Sequence, residues 1–205
     1  MGKRFTALEP GHHDFIQKQK IFFVASATSE SRVNISPKDV ASLRILDAQR
    51  LVYLDQTGSG NETAAHLRAD GRLTLMFCAL EGAPLILRLY GKGAVLARRS
   101  PAYAEMLALH FGDVEPPGAR QIVVLDVDLV QTSCGYGVPL FDFAGERATL
   151  RRWAEAKGEK GIEEYWRAKN SMSIDGLPTG ILDRTEEERP DAIEADPCIS
   201  QNPLG

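Results

Sequence analysis

The sequence predicts a mainly β fold with helices: a six-stranded, antiparallel barrel over residues 20–134, followed by a helical C-terminal extension. Three observations lead there. Six runs of aliphatic, aromatic and β-branched residues recur between turn signals. Only two short helical patterns interrupt them, too few for a parallel sheet, in which each strand pair needs a crossover connection. After Phe143 the composition shifts to charged, helix-forming residues.

The elements follow in order. Residues 12–20 predict a short helix, and the apolar run of residues 21–27 a first, buried strand. A turn at 29–31 leads into alternating residues 32–36, so the pair reads as a hairpin. Pro37 has no N–H and is expected to end that pairing or to mark a bulge. Residues 40–46 read as an irregular or short helical connection, and 51–55 as the third strand. A short helix is expected over 61–69, ended near Asp70-Gly71. Strands over 73–79 and 85–96 are separated by the turn residues Glu81-Gly82-Ala83-Pro84. Ser100-Pro101 supplies the cap and first turn of an amphipathic helix over 102–111. The aliphatic residues 121–130 form the sixth strand. Two further helices are expected over 146–157 and 162–170. From Asp175 the chain turns Pro-, Gly- and acid-rich, with Glu186-Glu187-Glu188, a composition that rarely packs a core alone. Residues 1–134 thus read as one barrel domain. Residues 135–205 read as a helical extension and acidic tail, not an independent domain.

With 43% apolar and 25% charged residues the chain has the composition of an ordinary globular protein. No apolar run approaches a membrane span, and no apolar segment follows Met1-Gly2-Lys3-Arg4 to make a secretory signal. A formal charge of −4 argues against non-specific nucleic-acid binding, which needs a basic surface. Cys78, Cys134 and Cys198 form no CxxC pair and no zinc pattern, which points to a reducing cytoplasm, with Cys78 as a small buried hydrophobe. His12 and His13 are adjacent and point in different directions, so they are poor co-ligands and no metal site is expected. Neither a nucleophile elbow nor HExxH is present, and Gly91 and Gly93 lie inside a strand run where no dinucleotide fingerprint belongs.

The densest concentration of binding chemistry is Gly58-Ser59-Gly60-Asn61-Glu62-Thr63, between a strand and a helix. The two glycines permit positive φ and close approach of a ligand. Ser59, Asn61 and Thr63 crowd polar groups beside backbone amides, as in a phosphate cradle at a helix start. A strand-to-helix turn in which Ser59 or Asn61 only caps the helix explains the same residues.

The context is an ordered set of motifs: Arg32-Val33-Asn34-Ile35-Ser36-Pro37-Lys38, then a strand ending Tyr53-Leu54-Asp55, then the turn above, then Arg88-Leu89-Tyr90-Gly91-Lys92-Gly93. In this order the chain resembles the pyridoxamine 5′-phosphate oxidase-like family, the flavin-binding split barrels, over roughly residues 12–134. Cys134-Gly135-Tyr136-Gly137-Val138-Pro139 is similar to the tail motif of one subgroup. The resemblance implies a six-stranded split β-barrel with FMN bound between two subunits of a homodimer. It implies phosphate contacts from Asn34, Ser36, Lys38, Ser59, Asn61 and Thr63, and a flavin ring near Tyr53, Leu54 and Asp55. Arg88 matches the arginine of the family's next core strand; its plainer reading is a barrel-surface arginine paired with an acid. His66 either touches the phosphate or packs beneath it. Glu62 would repel a phosphate unless it points away or binds an amide. Two departures speak against pyridoxamine phosphate as the substrate: the turn lacks the basic pairs of the familiar oxidase, and Asp39 stands where glycine commonly follows the lysine.

The implied activity is that of an FMN-dependent oxidoreductase, with hydride or electron transfer to or from an unidentified small molecule. The alternative is a non-catalytic flavin- or haem-binding split barrel. Hydride transfer to flavin needs no acid–base pair from the protein, so no catalytic residue is assigned. The dimer contact is expected on the strands at 73–79 and 85–89, with no nucleic-acid or membrane partner. In the tail motif, Tyr136 or Phe141 could lie over a flat ring, or the motif could simply redirect the chain.

Overall fold

The computed structural model describes residues 2–183. Cys198 and Glu186-Glu187-Glu188 lie outside the described residues. One antiparallel sheet curls into a half-barrel with four helices about it. In chain order the elements are β1 (Arg4–Phe5), α1 (Pro10–Lys18), β2 (Ile21–Ser26), β3 (Asn34–Asp39), β4 (Leu43–Ile45), β5 (Arg50–Gln56), α2 (Glu62–Ala69), β6 (Arg72–Cys78), β7 (Ile86–Ala97), α3 (Pro101–Phe111), β8 (Ala119–Ser133) and α4 (Thr149–Lys169). The sheet order is β3-β2-β6-β7-β8-β5-β4, with β1 added against β8.

The sequence pattern predicts six strands; the sheet has eight. The additions are the two-residue β1 and the three-residue β4, both too short to show a period-two pattern. Part of the connection over 40–46 is thus a strand. Its first turn, Val40–Ser42, is a 3-10 turn on which Asp39 accepts a bond from the Ala41 amide at 2.9 Å. Pro37 neither ends β3 nor marks a bulge: it pairs in register with Phe23, and the ladder continues to Asp39 opposite Ile21. As β3 is an edge strand, a missing N–H that faces outward breaks no ladder bond.

Alternation builds the core. Phe22 and Val24 of β2, Leu75 and Phe77 of β6, Leu87 and Leu89 of β7 and Leu51 and Tyr53 of β5 fill the concave face. The Phe22 ring lies 5.7 Å from both Phe77 and Tyr53. Each such burial contributes about 1.5–3 kcal/mol. The opposite faces of β5 and β8, with Val52, Leu54 and Ile122, pack on Tyr103 and Leu107 of α3. A third cluster joins Ala154, Ile162 and Trp166 of α4.

Helix ends follow local chemistry. Glu9 and His12 form a reciprocal capping box around Pro10, which starts α1 two residues before the expected point. Burial holds the His12 imidazole below its usual pKa, with a smaller push from His13, against the Glu9 carboxylate. Ser100 caps α3 through the Tyr103 amide, with Pro101 in the first turn. Helix α4 is interrupted at Gly158 (φ 65°), so its two arms answer to the two helices expected. At Gly91 the β7–β8 register shifts, and a Cβ would fall 1.9 Å from the Asp126 carbonyl oxygen. Glycine there serves strand packing. None of the helices among the described residues is long and apolar enough to cross a membrane.

Candidate functional site

The period of β3 selects the site's first wall. Asn34, Ser36 and Lys38 lie opposite Ser26, Val24 and Phe22, on the face that leads into the barrel, while Ile35 faces outward. The turn after β5 supplies the second wall. Asn34, Ser36 and Lys38 meet Ser59, Gly60 and Thr63 around a cavity of about 710 Å³. Arg32, Val33, Arg120, Lys169 and Ser173 also line it, together with the carboxylate-bearing Glu62.

Asp55 is the electrostatic centre beside this cavity. It is 2% exposed and accepts bonds from Lys38 Nζ at 2.6 Å, Arg120 Nε at 2.7 Å and Gln121 Nε2 at 2.9 Å. Burial alone would push its pKa up; Arg120 and Lys38 outweigh that and hold the carboxyl well below the usual carboxylate range. Arg120 also donates to the Gly60 carbonyl at 2.8 Å and to Asn170 Oδ1 at 2.9 Å. One guanidinium therefore ties β5, the turn and the end of α4 together. Close by, Trp166 donates to Thr57 Oγ1 at 2.8 Å, and Thr57 to the Gly118 carbonyl at 2.8 Å.

Behind the cavity lie three buried polar groups with unmet bonds. Asn61 stands at the N-cap of α2 yet makes no side-chain cap bond. Its Oδ1 accepts from Gln121 at 2.8 Å instead, and its Nδ2 has no partner. His66 packs beneath the turn, with Nδ1 3.0 Å from Ser26 Oγ and Nε2 unpartnered. The Tyr53 hydroxyl, near Thr63 but without a well-formed bond, is also unsatisfied, and burial raises its pKa well above the usual phenol value. Asn34 Nδ2 links the two walls by donating to Thr63 Oγ1 at 3.1 Å.

The structure brings most of the sequence-derived candidates together, with exceptions. Leu54 points the other way, into the cluster under α3. Arg88 lies outside the cavity lining and donates to Ser133 Oγ at 3.2 Å, not to an acid. Gly58 and Gly60 do not adopt positive φ; they are not among the left-handed glycines. Glu62 turns both oxygens to the Ile174 amide at 3.1 Å, and Asp39 is exposed on the outward side of β3. Tyr136 is 81% exposed in a turn closed by Val138 N–H to the Gly135 carbonyl. Phe141 lines a separate groove of about 1680 Å³, which touches the first cavity at Pro37 and Lys38. The aliphatic side chains at 73–79 and 85–89 that would form a dimer contact are mostly core, since Leu73, Leu75, Phe77, Leu87 and Leu89 point inward.

The family described as pyridoxamine 5′-phosphate oxidase matches residues 8–134. The chain belongs to the pyridoxamine 5′-phosphate oxidase family. A curated relative, the pyridoxamine 5′-phosphate oxidase family protein ustO of Aspergillus flavus, is 37% identical over 190 residues, covering 85% of this chain and 76% of ustO. Among solved structures, HupZ of Group A Streptococcus overlays with a TM-score of 0.50 at 18% identity, covering 61% of this chain and 98% of HupZ, a likeness of fold. A pyridoxamine 5′-phosphate oxidase-related, FMN-binding protein of Nostoc punctiforme gives a TM-score of 0.45 at 12% identity, covering 62% and 85% of the two chains. The haem storage protein HutZ of Vibrio cholerae gives 0.40 at 16% identity, covering 60% and 92%.

In this family member, sequence reasoning missed Arg120, Gln121, Lys169 and Asn170. The first two carried a readable signal: a polar pair directly before the aliphatic Ile122-Val123-Val124 is out of place unless its charge is met inside. Asn170, fully buried beyond the family match, carried none.

Proposed function

We propose that this family member binds FMN in the cavity between β3 and the Gly58–Thr63 turn and acts as an FMN-dependent oxidoreductase on a small molecule. The supporting observation is the convergence of Asn34, Ser36 and Lys38 with Ser59 and Thr63 on one cavity. The donor set suits a phosphate monoester: three hydroxyls, an ammonium, and a buried Asn61 amide with an unmet donor behind them. Around Asp55, two cations face one carboxylate, which leaves an excess positive charge for an anion.

Bound flavin would supply the hydride and electron chemistry. The chain's own residues would bind and orient it. Ser36, Ser59 and Thr63 offer directed hydroxyl donors, and Lys38 a point charge. The Asp55–Arg120–Gln121 network fixes the end of β5 against the turn, so the cradle is formed before the ligand arrives. The reading includes a homodimer in which a second protomer covers the outer side of β3, where Ile35 is 64% exposed.

The test is a titration of apo protein with FMN and with riboflavin, which lacks the phosphate. Lys38→Ala is expected to weaken FMN binding by about ten- to a hundredfold and to leave riboflavin binding unchanged. Wild-type protein that takes up no FMN refutes the reading. Bleaching of the bound flavin by NADH or NADPH, with reoxidation in air, separates an enzyme from a binding protein.

A further inference from the structure

The chain beyond the family match forms one side of the candidate cavity. Lys169 ends α4, and residues 170–183 then run back over the turn. Asn170 is fully buried and anchors this strap: its Oδ1 accepts from Arg120 at 2.9 Å and its Nδ2 donates to the Gly58 carbonyl at 3.1 Å. Thr179 Oγ1 donates to the Asn170 carbonyl at 2.6 Å. Farther along, the Ile174 amide binds Glu62 and Asp175 pairs with Arg32. The strap is thus tied to the turn, to α2 and to the approach to β3.

The cations of the cavity are unequal. Lys38 and Arg120 are both engaged by Asp55, and Arg32 by Asp175. Lys169 lines the same cavity and has no ion pair among the described residues. Ser173, in the strap, lines it too, and the Glu62 carboxylate on that wall is occupied by the strap's own amide.

We propose that Lys169 is a phosphate-binding residue of this cavity, held in place by Asn170, so that the C-terminal strap is part of the ligand site and not an accessory to the fold. The proposal rests on the reading of the cavity as a phosphate site. Lys38 remains the charge fixed within the barrel wall; Lys169 is the charge brought by the strap. An ammonium on a flexible stem at a cavity wall acts as a mobile point charge that closes on the anion. Met172 and Ile174, on the same wall, are half-exposed and exposed apolar side chains that would cover the part of a ligand next to its phosphate.

The experiment uses the full chain as wild type, Lys169→Gln, Lys169→Arg and Asn170→Ala. Each is titrated with FMN and riboflavin by flavin fluorescence and with inorganic phosphate by thermal shift. Lys169→Gln is expected to weaken FMN about tenfold, to leave riboflavin within about twofold, and to abolish the phosphate-dependent shift. Lys169→Arg restores most of the loss, and apo Lys169→Gln melts with the wild type because the residue is exposed. Asn170→Ala weakens FMN as well, by freeing the strap. Wild-type affinity of Lys169→Gln for both FMN and phosphate overturns the proposal while the FMN reading stands. If the wild type responds to phosphate but not to FMN, and Lys169→Gln removes that response, the FMN reading falls and Lys169 stands. If the wild type responds to neither, both fall.

Discussion

Lys38 Nζ meets Asp55 Oδ1 at 2.6 Å, although their strands share no hydrogen bond. Strand β3 is one edge of the sheet, and β5 lies next to the other edge, β4. The ion pair therefore bridges the seam that the backbone ladder leaves open. The same ammonium stands at the cavity wall, so one side chain serves both closure of the barrel and the candidate ligand site.

Asp55→Asn is expected to destabilise the protein by about 3–5 kcal/mol, because it leaves the buried Arg120 guanidinium without its carboxylate. The loss is read from urea unfolding near neutral pH. An unchanged midpoint and slope would show that the network contributes nothing to folding.

The pH dependence has a definite sign. The folded pKa of Asp55 lies below its unfolded value, about 3.9. Its contribution is complete above about pH 4 and declines as pH falls towards the folded pKa, because the unfolded chain takes up the proton first. The Asp55→Asn variant lacks this limb. Urea midpoints of wild type and variant are thus expected to approach one another between about pH 4 and about pH 2. A gap that stays constant over that range would assign the acid response to other groups.

How much of this was legible in the sequence depends on the range of the interaction. Asn34, Ser36 and Lys38 share a face by the period of a strand alone, and the N-x-S-P-K spacing displays it. The core runs were readable for the same reason. Strands β1 and β4 were not, since two or three residues carry no period. Pro37 was misjudged because a sequence does not say which strand is an edge. Asn61 has the right residue type for a cap, yet its oxygen is taken by Gln121, 60 positions away. Arg120 and Asn170 act across 65 and 112 positions, to Asp55 and Gly58, and no local pattern reports such pairs.

Asn170→Ala tests the strap as structure. It removes two side-chain bonds from a fully buried site and leaves the Gly58 carbonyl and one Arg120 donor unmet. The expected loss is about 1–3 kcal/mol. Amide exchange is expected to rise at Ser173, Ile174 and Thr179, whose amides are bonded within or from the strap, more than in β7 and β8. Uniform acceleration across the sheet would show instead that Asn170 supports the whole fold.

Two glycines of the sequence motifs should respond in opposite ways. A Cβ at Gly91 would overlap the Asp126 carbonyl oxygen at 1.9 Å, a backbone atom that cannot swing aside. Gly91→Ala is expected to cost more than about 3 kcal/mol or to prevent soluble expression. A Cβ at Gly137 meets nothing within 4 Å, and its φ is not positive. Gly137→Ala should stay within about 0.5 kcal/mol of wild type in thermal melts. Equal effects at both positions would contradict the close approach of β7 and β8.

The last prediction concerns the outer side of β3. Its inward residues face the cavity, while Ile35 is an exposed apolar side chain on a strand with a free edge. Exposed, apolar edge strands invite pairing with another chain unless a partner covers them. The inward aliphatic residues of β6 and β7 are buried in the core and unavailable for such a contact, which moves the expected dimer surface to β3 and its neighbours. Light scattering at micromolar concentration should give a dimer for the wild type and a monomer for Ile35→Lys. Because this side chain is already in solvent in the single protomer, the variant should keep its circular dichroism spectrum. It should also lose FMN affinity, since the proposed site is completed by the second protomer. A variant that remains dimeric would place the interface elsewhere. A monomer that binds FMN as tightly as the wild type would show that one protomer holds the whole site.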